Sequence, residues 1–183
     1  MNRAIVILIL ATLATTLFAQ QSNKSKSKDR YREKDQYSQE ELNQVREQYG
    51  TLRALAEQQL RPTTFALSQA MLQERLSATA SGRCMEYALL AGHETTARYQ
   101  SKVSSLQGVL RGMPILYSYT SADSVFYPFA ALYAILETGR QLMPNGYIAA
   151  QHQMNLEQSF RQNGLPETLI APSKKAASDI SRQ

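Results

Sequence analysis

Among its 183 residues the chain has one cysteine, two histidines and no tryptophan. A lone Cys84 excludes an intrachain disulfide and any cysteine-based zinc site. Its neighbours Met85, Tyr87, Ala88 and Leu89 predict a buried, inert thiol. His93-Glu94-Thr95-Thr96-Ala97 begins like a zinc-protease motif, but position 97 is Ala. Two histidines at i and i+4 are needed to present two nitrogens to one metal from one helix face. No metal or cofactor is therefore expected, and His93 reads as an exposed residue beside a glycine hinge. There is no G-x-S-x-G turn, and Asp123 is the only aspartate between residues 36 and 170. That argues against serine-hydrolase chemistry. The glycines are scattered, so no phosphate-cradling loop is present.

Lysine is scarce in the body: of seven lysines only Lys102 lies between 36 and 170. The formal net charge is +5, yet that body holds ten basic and eleven acidic side chains. The excess sits in residues 20–35, in residues 171–183 and at Arg3. Nucleic-acid binding calls for a basic face on the folded part with aromatics between the charges. No nucleic-acid partner is expected.

Arg3 followed by the uncharged run Ala4 to Ala19 has the form of a secretory signal, with cleavage between Ala19 and Gln20. Residues 1–19 are assigned to that signal. The run is shorter than the ~18 or more apolar residues of a membrane-spanning helix. Residues 20–37, polar and basic, read as a disordered linker. Membrane contact is expected only through the signal or this linker, and the location as periplasmic or secreted.

Residues 38–170 read as one helical domain. Ser38 to Glu41 forms a capping box, and Leu42, Val45, Tyr49, Leu52 and Ala56 follow 3-4 spacing. That predicts a helix over 39–60, ended by Pro62. A second, capped by Thr63 or Thr64, runs to Thr79 with Phe65, Leu72 and Leu76 on one face, widened by Leu67 and Met71. Gly82 stops it. A third starts near Arg83 and is divided at Gly92. Its second half runs from Glu94 to Arg111, carrying a stripe of Tyr99, Val103, Leu106 and Leu110. Pro144-Asn145-Gly146 marks a turn, and Tyr147 to Gln162 a helix with Ile148, His152, Leu156 and Phe160 in one row. Leu165 to Ile170 docks as a short turn, and 171–183 is a flexible tail.

Between these lies the apolar, aromatic stretch from Met113 to Leu136, whose only charge is Asp123. Ser121 to Ser124 is a polar turn. A helix over about 125–142 follows, with Pro128 in its first turn. Its apolar part, 125–136, is ~18 Å long and too short for a bilayer core of ~30 Å, so it is a central, enclosed helix. The fold class is all-α, a single domain of five to six amphipathic helices around that helix. Tyr117, Tyr119, Phe126 and Tyr127 lie where the polar turn admits water, and form the candidate partner interface.

The functional expectation is a non-enzymatic binding or structural protein of the bacterial cell envelope, an accessory of a secretion, conjugation or surface-assembly machine. Its partner is a protein, and self-association is left open. Two alternatives stand beside it. One is a peptidoglycan-cutting enzyme using Glu86 or Glu137 as a general acid, because their surroundings are the most apolar. The other is a regulator tethered by an uncleaved N-terminus.

Overall fold

In a computed structural model of the chain, residues 47–117 and 120–183 are described. The signal, the linker, the capping box at Ser38 and Tyr119 lie outside them. The chain divides after Gln48, and the fold below is that of Tyr49–Gln183. All regular structure among the described residues is helical.

The first helix, α1, is described over 47–73 and runs straight through Pro62. Proline removes the N–H that would reach the carbonyl four residues back. Pro62 and Gln58 are both exposed, so water can take that place. Thr64 Oγ1 also donates to the carbonyls of Leu60 and Arg61, at 3.1 and 3.0 Å. Continuity sets the phase of the helix. From Leu52 and Ala56 the buried stripe carries on to Thr63, Ala66, Leu67, Ala70 and Met71. Phe65 and Leu72, expected inside, are instead 61% and 79% exposed. Two helices with independent phases would have allowed either face; one helix allows only this one.

The break comes at Glu74-Arg75. Arg75 is left-handed (φ 52°), and the Leu76 N–H bonds the Met71 carbonyl while the Arg75 N–H bonds that of Leu72. This is a Schellman closure with arginine in the position glycine usually holds. Ser77 then caps α2 (Ala78–Tyr99), accepting from the Ala80 N–H at 3.3 Å. The helix passes through Gly82 and Gly92, so neither is the expected stop or hinge. It buries Cys84, as expected, with Ala88, Ala91, Gly92, Glu94 and Thr95. Such small residues allow α3 to approach closely. A Cβ on Gly92 would stand 2.5 Å from Ile135 Cγ1.

The expected continuation to Arg111 does not form. After Tyr99 the backbone is irregular through 117, turning at Gly108 and Gly112 with φ of 79° and 81°. None of residues 100–117 is fully buried. The buried carboxylate of Glu94 gathers this loop, accepting from Ser105 Oγ at 2.6 Å and from the Leu106 N–H at 2.7 Å.

After a 3-10 turn at Ala122–Ser124 comes α3 (Tyr127–Leu142), with Pro128 in its first turn as expected. It is the central helix, packed by α2, by α4 (Tyr147–Gln162) and by α5 (Glu167–Ser181). Phe129 meets Phe160 edge to face at 5.1 Å, and Phe126 lies against both Tyr49 and Phe160. Among the described residues no helix is long and apolar enough to cross a membrane. In α4 the buried side chains are Ala149, Gln153, Leu156 and Phe160, so the stripe is rotated slightly from the expected Ile148–His152 row. Gly164 closes α4 with φ 90°.

Residues 171–183 are not a frayed tail. They form most of α5 and bury Ser173, Ala176, Ala177 and Ile180 in line with Ile170. The small side chains let α5 sit close to α3: Ser173 Oγ accepts from the Phe126 N–H at 2.9 Å. Pro172 lies within the helix. The helical domain thus extends to the last residues rather than to 170.

Two alanine substitutions on α2 should act in opposite directions. Gly82→Ala meets nothing within 4 Å and should stabilise the fold by about 0.5–1 kcal/mol through backbone entropy. Gly92→Ala should destabilise by roughly 1–2 kcal/mol, since overpacking against Ile135 outweighs the propensity gain. Urea unfolding midpoints of the two variants measure both signs.

Candidate functional site

Two helices, the irregular loop and the end of α5 enclose an apolar groove of about 560 Å³. From α2 come Tyr87, Leu90 and Ala91; from the loop, Leu110, Arg111, Gly112, Met113, Pro114 and Leu116; from α3, Thr138 and Leu142; from the chain's end, Ile180, Ser181 and Gln183. Its volume is that of a small-molecule site. The loop wall is fastened to α5 by Gln183. Its Oε1 accepts from the Tyr117 N–H at 2.7 Å, while Nε2 donates to the carbonyls of Tyr117 and Asp179, each at 2.7 Å.

Behind this apolar wall one buried polar atom lacks a partner. Thr138 is only 7% exposed, and its Oγ1 makes no hydrogen bond. A helical threonine commonly donates to the carbonyl four residues back, here Ala134. Ser181 Oγ stands 3.3 Å from that carbonyl, its shorter bond being to the Ala177 carbonyl at 2.8 Å. At the rim, the exposed Arg111 guanidinium has no ion-pair or hydrogen-bond partner among the described residues.

Of the aromatic residues expected to share an interface, the three that are described, Tyr117, Phe126 and Tyr127, are not brought together. Tyr117, beside the groove, is 53% exposed. Phe126 is 3% exposed and belongs to the core, because its backbone caps α3 and its ring closes the aromatic cluster. Tyr127 is half-buried on a different cavity of about 380 Å³, where its hydroxyl accepts from Gln100 Nε2 at 3.3 Å and Arg53 stands 5.7 Å from its ring. Arg53, Glu57 and His93 also line that cavity. His93 is half-buried, its Nε2 at 3.1 Å from the Ser104 carbonyl.

Neither candidate general acid has the environment expected of it. Glu86 lies exposed on α2. Glu137 is buried, which alone would raise its pKa. Hydrogen bonds from Arg140, Gln153 and Gln141, at 2.6 to 3.0 Å, overcome that and bring it down to about 2. Glu137 is thus a structural anion joining α3 to α4. A second tie joins α4 to α5. Lys174 donates to Glu157 at 2.7 Å and stands 5.6 Å from the Tyr133 ring centre. Burial of Glu157 opposes its ionisation, but Lys174 and Arg161 prevail and lower its pKa.

Sequence reasoning did not single out Glu94, Thr138 or Gln183. Glu94 shared the His93 motif, but nothing in the pattern marked it as buried. Thr138 stood in an apolar helix with no sign that its hydroxyl would be left without a partner. Gln183 lay in a segment read as a tail.

No protein-family model and no curated protein matches the chain. Among solved structures it is similar to a bacterial vanadium-dependent iodoperoxidase, with a TM-score of 0.61 at 18% identity. The match covers 68% of this chain and spans 30% of that one. The likeness is one of helical fold.

Replacing Glu137 by Gln tests the structural role. The folded-state pKa lies below the ordinary 4.5, so the stabilisation is complete above that value and is lost as pH falls toward about 2. At pH 7 the variant should lose about 1–3 kcal/mol, Arg140 remaining partly solvated. The gap between the melting temperatures of the two proteins should narrow steadily between pH 4.5 and 2.

Proposed function

We propose that this chain is a non-enzymatic binding or structural protein of a bacterial cell envelope, working in the periplasm or outside the cell. It acts there as an accessory of a secretion, conjugation or surface-assembly machine, and its partner is another protein. The observation that carries the binding role is Tyr117. Its backbone is clamped on both sides by Gln183, yet its ring is largely in solvent. An aromatic held this way loses little freedom on association, which is how interface anchors gain affinity. Exposed Phe65, Leu72, Tyr147 and Met154 add apolar surface on the same bundle.

The chemistry of the carboxylates supports a non-enzymatic reading. Glu137, held ionised by its donors, has no proton to give near neutral pH. Export rests on the uncharged run from Ala4 to Ala19.

N-terminal sequencing of the native protein should find a start at Gln20. A start at Met1 would favour the tethered regulator. Tyr117→Ser should weaken capture of envelope proteins by about tenfold or more, in the range of an aromatic anchor, and leave the melting temperature nearly unchanged. A large fall in melting temperature would return Tyr117 to a packing role.

A further inference from the structure

We propose that the Arg111–Gly112 peptide bond is a processing site for an arginine-specific serine protease. Its hydrolysis yields a two-chain form that keeps the helical bundle but has a severed loop.

A protease takes its substrate extended over several residues, so the bond it cuts must lie where the backbone can straighten without drawing core out with it. Residues 108–112 are all exposed. The N–H groups of Gln107, Val109, Leu110 and Met113 bond to Ser105 Oγ and to the carbonyls of Leu106 and Leu110, all within the loop. Straightening this segment breaks those local bonds and uncovers no buried side chain. Gly112, just after the scissile carbonyl, has φ 81°, and glycine takes up the extended form as readily as the left-handed one. The exposed Arg111 guanidinium suits a carboxylate at the base of a protease pocket.

The other basic residues of the described chain are worse placed. Lys102 adjoins Ser104, Ser105 and Leu106, which are held by His93 and Glu94. At Arg75 the N–H groups of residues 74–76 bond back to carbonyls of α1, and Leu76 packs on the core. Arg182 caps α5, and the rest lie within helices. In the cut, water adds to the Arg111 carbonyl carbon and the C–N bond to Gly112 breaks. Arg111 is left as a carboxylate and Gly112 as an ammonium group, with no further reactant needed. The two parts remain joined, because Glu94 holds the loop upstream, Gln183 holds it downstream, and α2 stays packed on α3. The site does not depend on where in the cell the protein works.

The test is brief digestion of the folded full chain with a limiting amount of trypsin, followed by mass and N-terminal sequencing of the products. Among bonds within residues 47–183, Arg111–Gly112 should be cut first, about tenfold or more faster than any other, since cleavage follows the population of the open form. The fragment beginning Gly112 should co-elute with its complement on gel filtration, and the helical circular dichroism should persist. Arg111→Gln should abolish this cut and leave the melting temperature unchanged. A first cut at Lys102, at Arg75 or within a helix would overturn the proposal. So would fragments that separate or lose their helicity.

Discussion

Everything in this bundle answers to the need to cover α3 from all sides. Its residues 129–139 are buried in nearly unbroken succession, and a helix apolar around its whole circumference has no face it can leave to water. Four helices therefore close on it, α1 through Leu67 against Gly139, and α2 and α5 through small side chains of their own. Gly92 and Ala91 perform this on α2, Ser173, Ala176 and Ala177 on α5. The same enclosure explains the polar chemistry. A carboxylate on such a helix must bring its own solvation, and Glu137 takes it from Arg140, Gln141 and Gln153.

What was legible in the sequence followed strong local chemistry. The start of α3 could be read because a first turn is where a helix accepts proline most readily, and Pro128 lies there. The bounds of α4 could be read because Gly146 and Gly164 occupy left-handed positions at its ends. The enclosed central helix followed from its composition. The misreadings share one cause, that tertiary context overruled a local signal. Pro62 looked like a stop but lay on a solvent face. Arg75 closed a helix in a conformation that arginine seldom adopts. The stripe at Tyr99, Val103, Leu106 and Leu110 had helical spacing, yet Glu94 offered the loop backbone a better partner than a further helical turn. The segment 171–183 looked like a tail because small residues leave little mark in hydropathy, although they are what a close helix contact needs.

The candidate interface was legible only in part, for a related reason. Aromatic residues next to a polar turn suit a core edge and a binding surface equally. Position in the sequence cannot separate Phe126, whose ring completes the packing of Phe160, from Tyr117, whose ring does not pack inward. Nor could the pattern reveal the groove, because its wall comes from a loop that folds back across α2 and meets the far end of α5. Such a surface depends on contacts distant in sequence, with Tyr117 and Gln183 standing 66 residues apart.

The Glu94 carboxylate bears on time as well as shape. The loop from 100 to 117 contributes no fully buried side chain and is held by polar ties, to Glu94 near one end and Gln183 near the other. Its opening exposes almost no apolar core, so it has a free energy of its own, well below that of unfolding the bundle. The amide of Leu106 should therefore exchange with solvent far sooner than those in the middle of α3. The groove is then walled on one side by an enclosed helix that opens only with the bundle and on the other by a segment that opens without it.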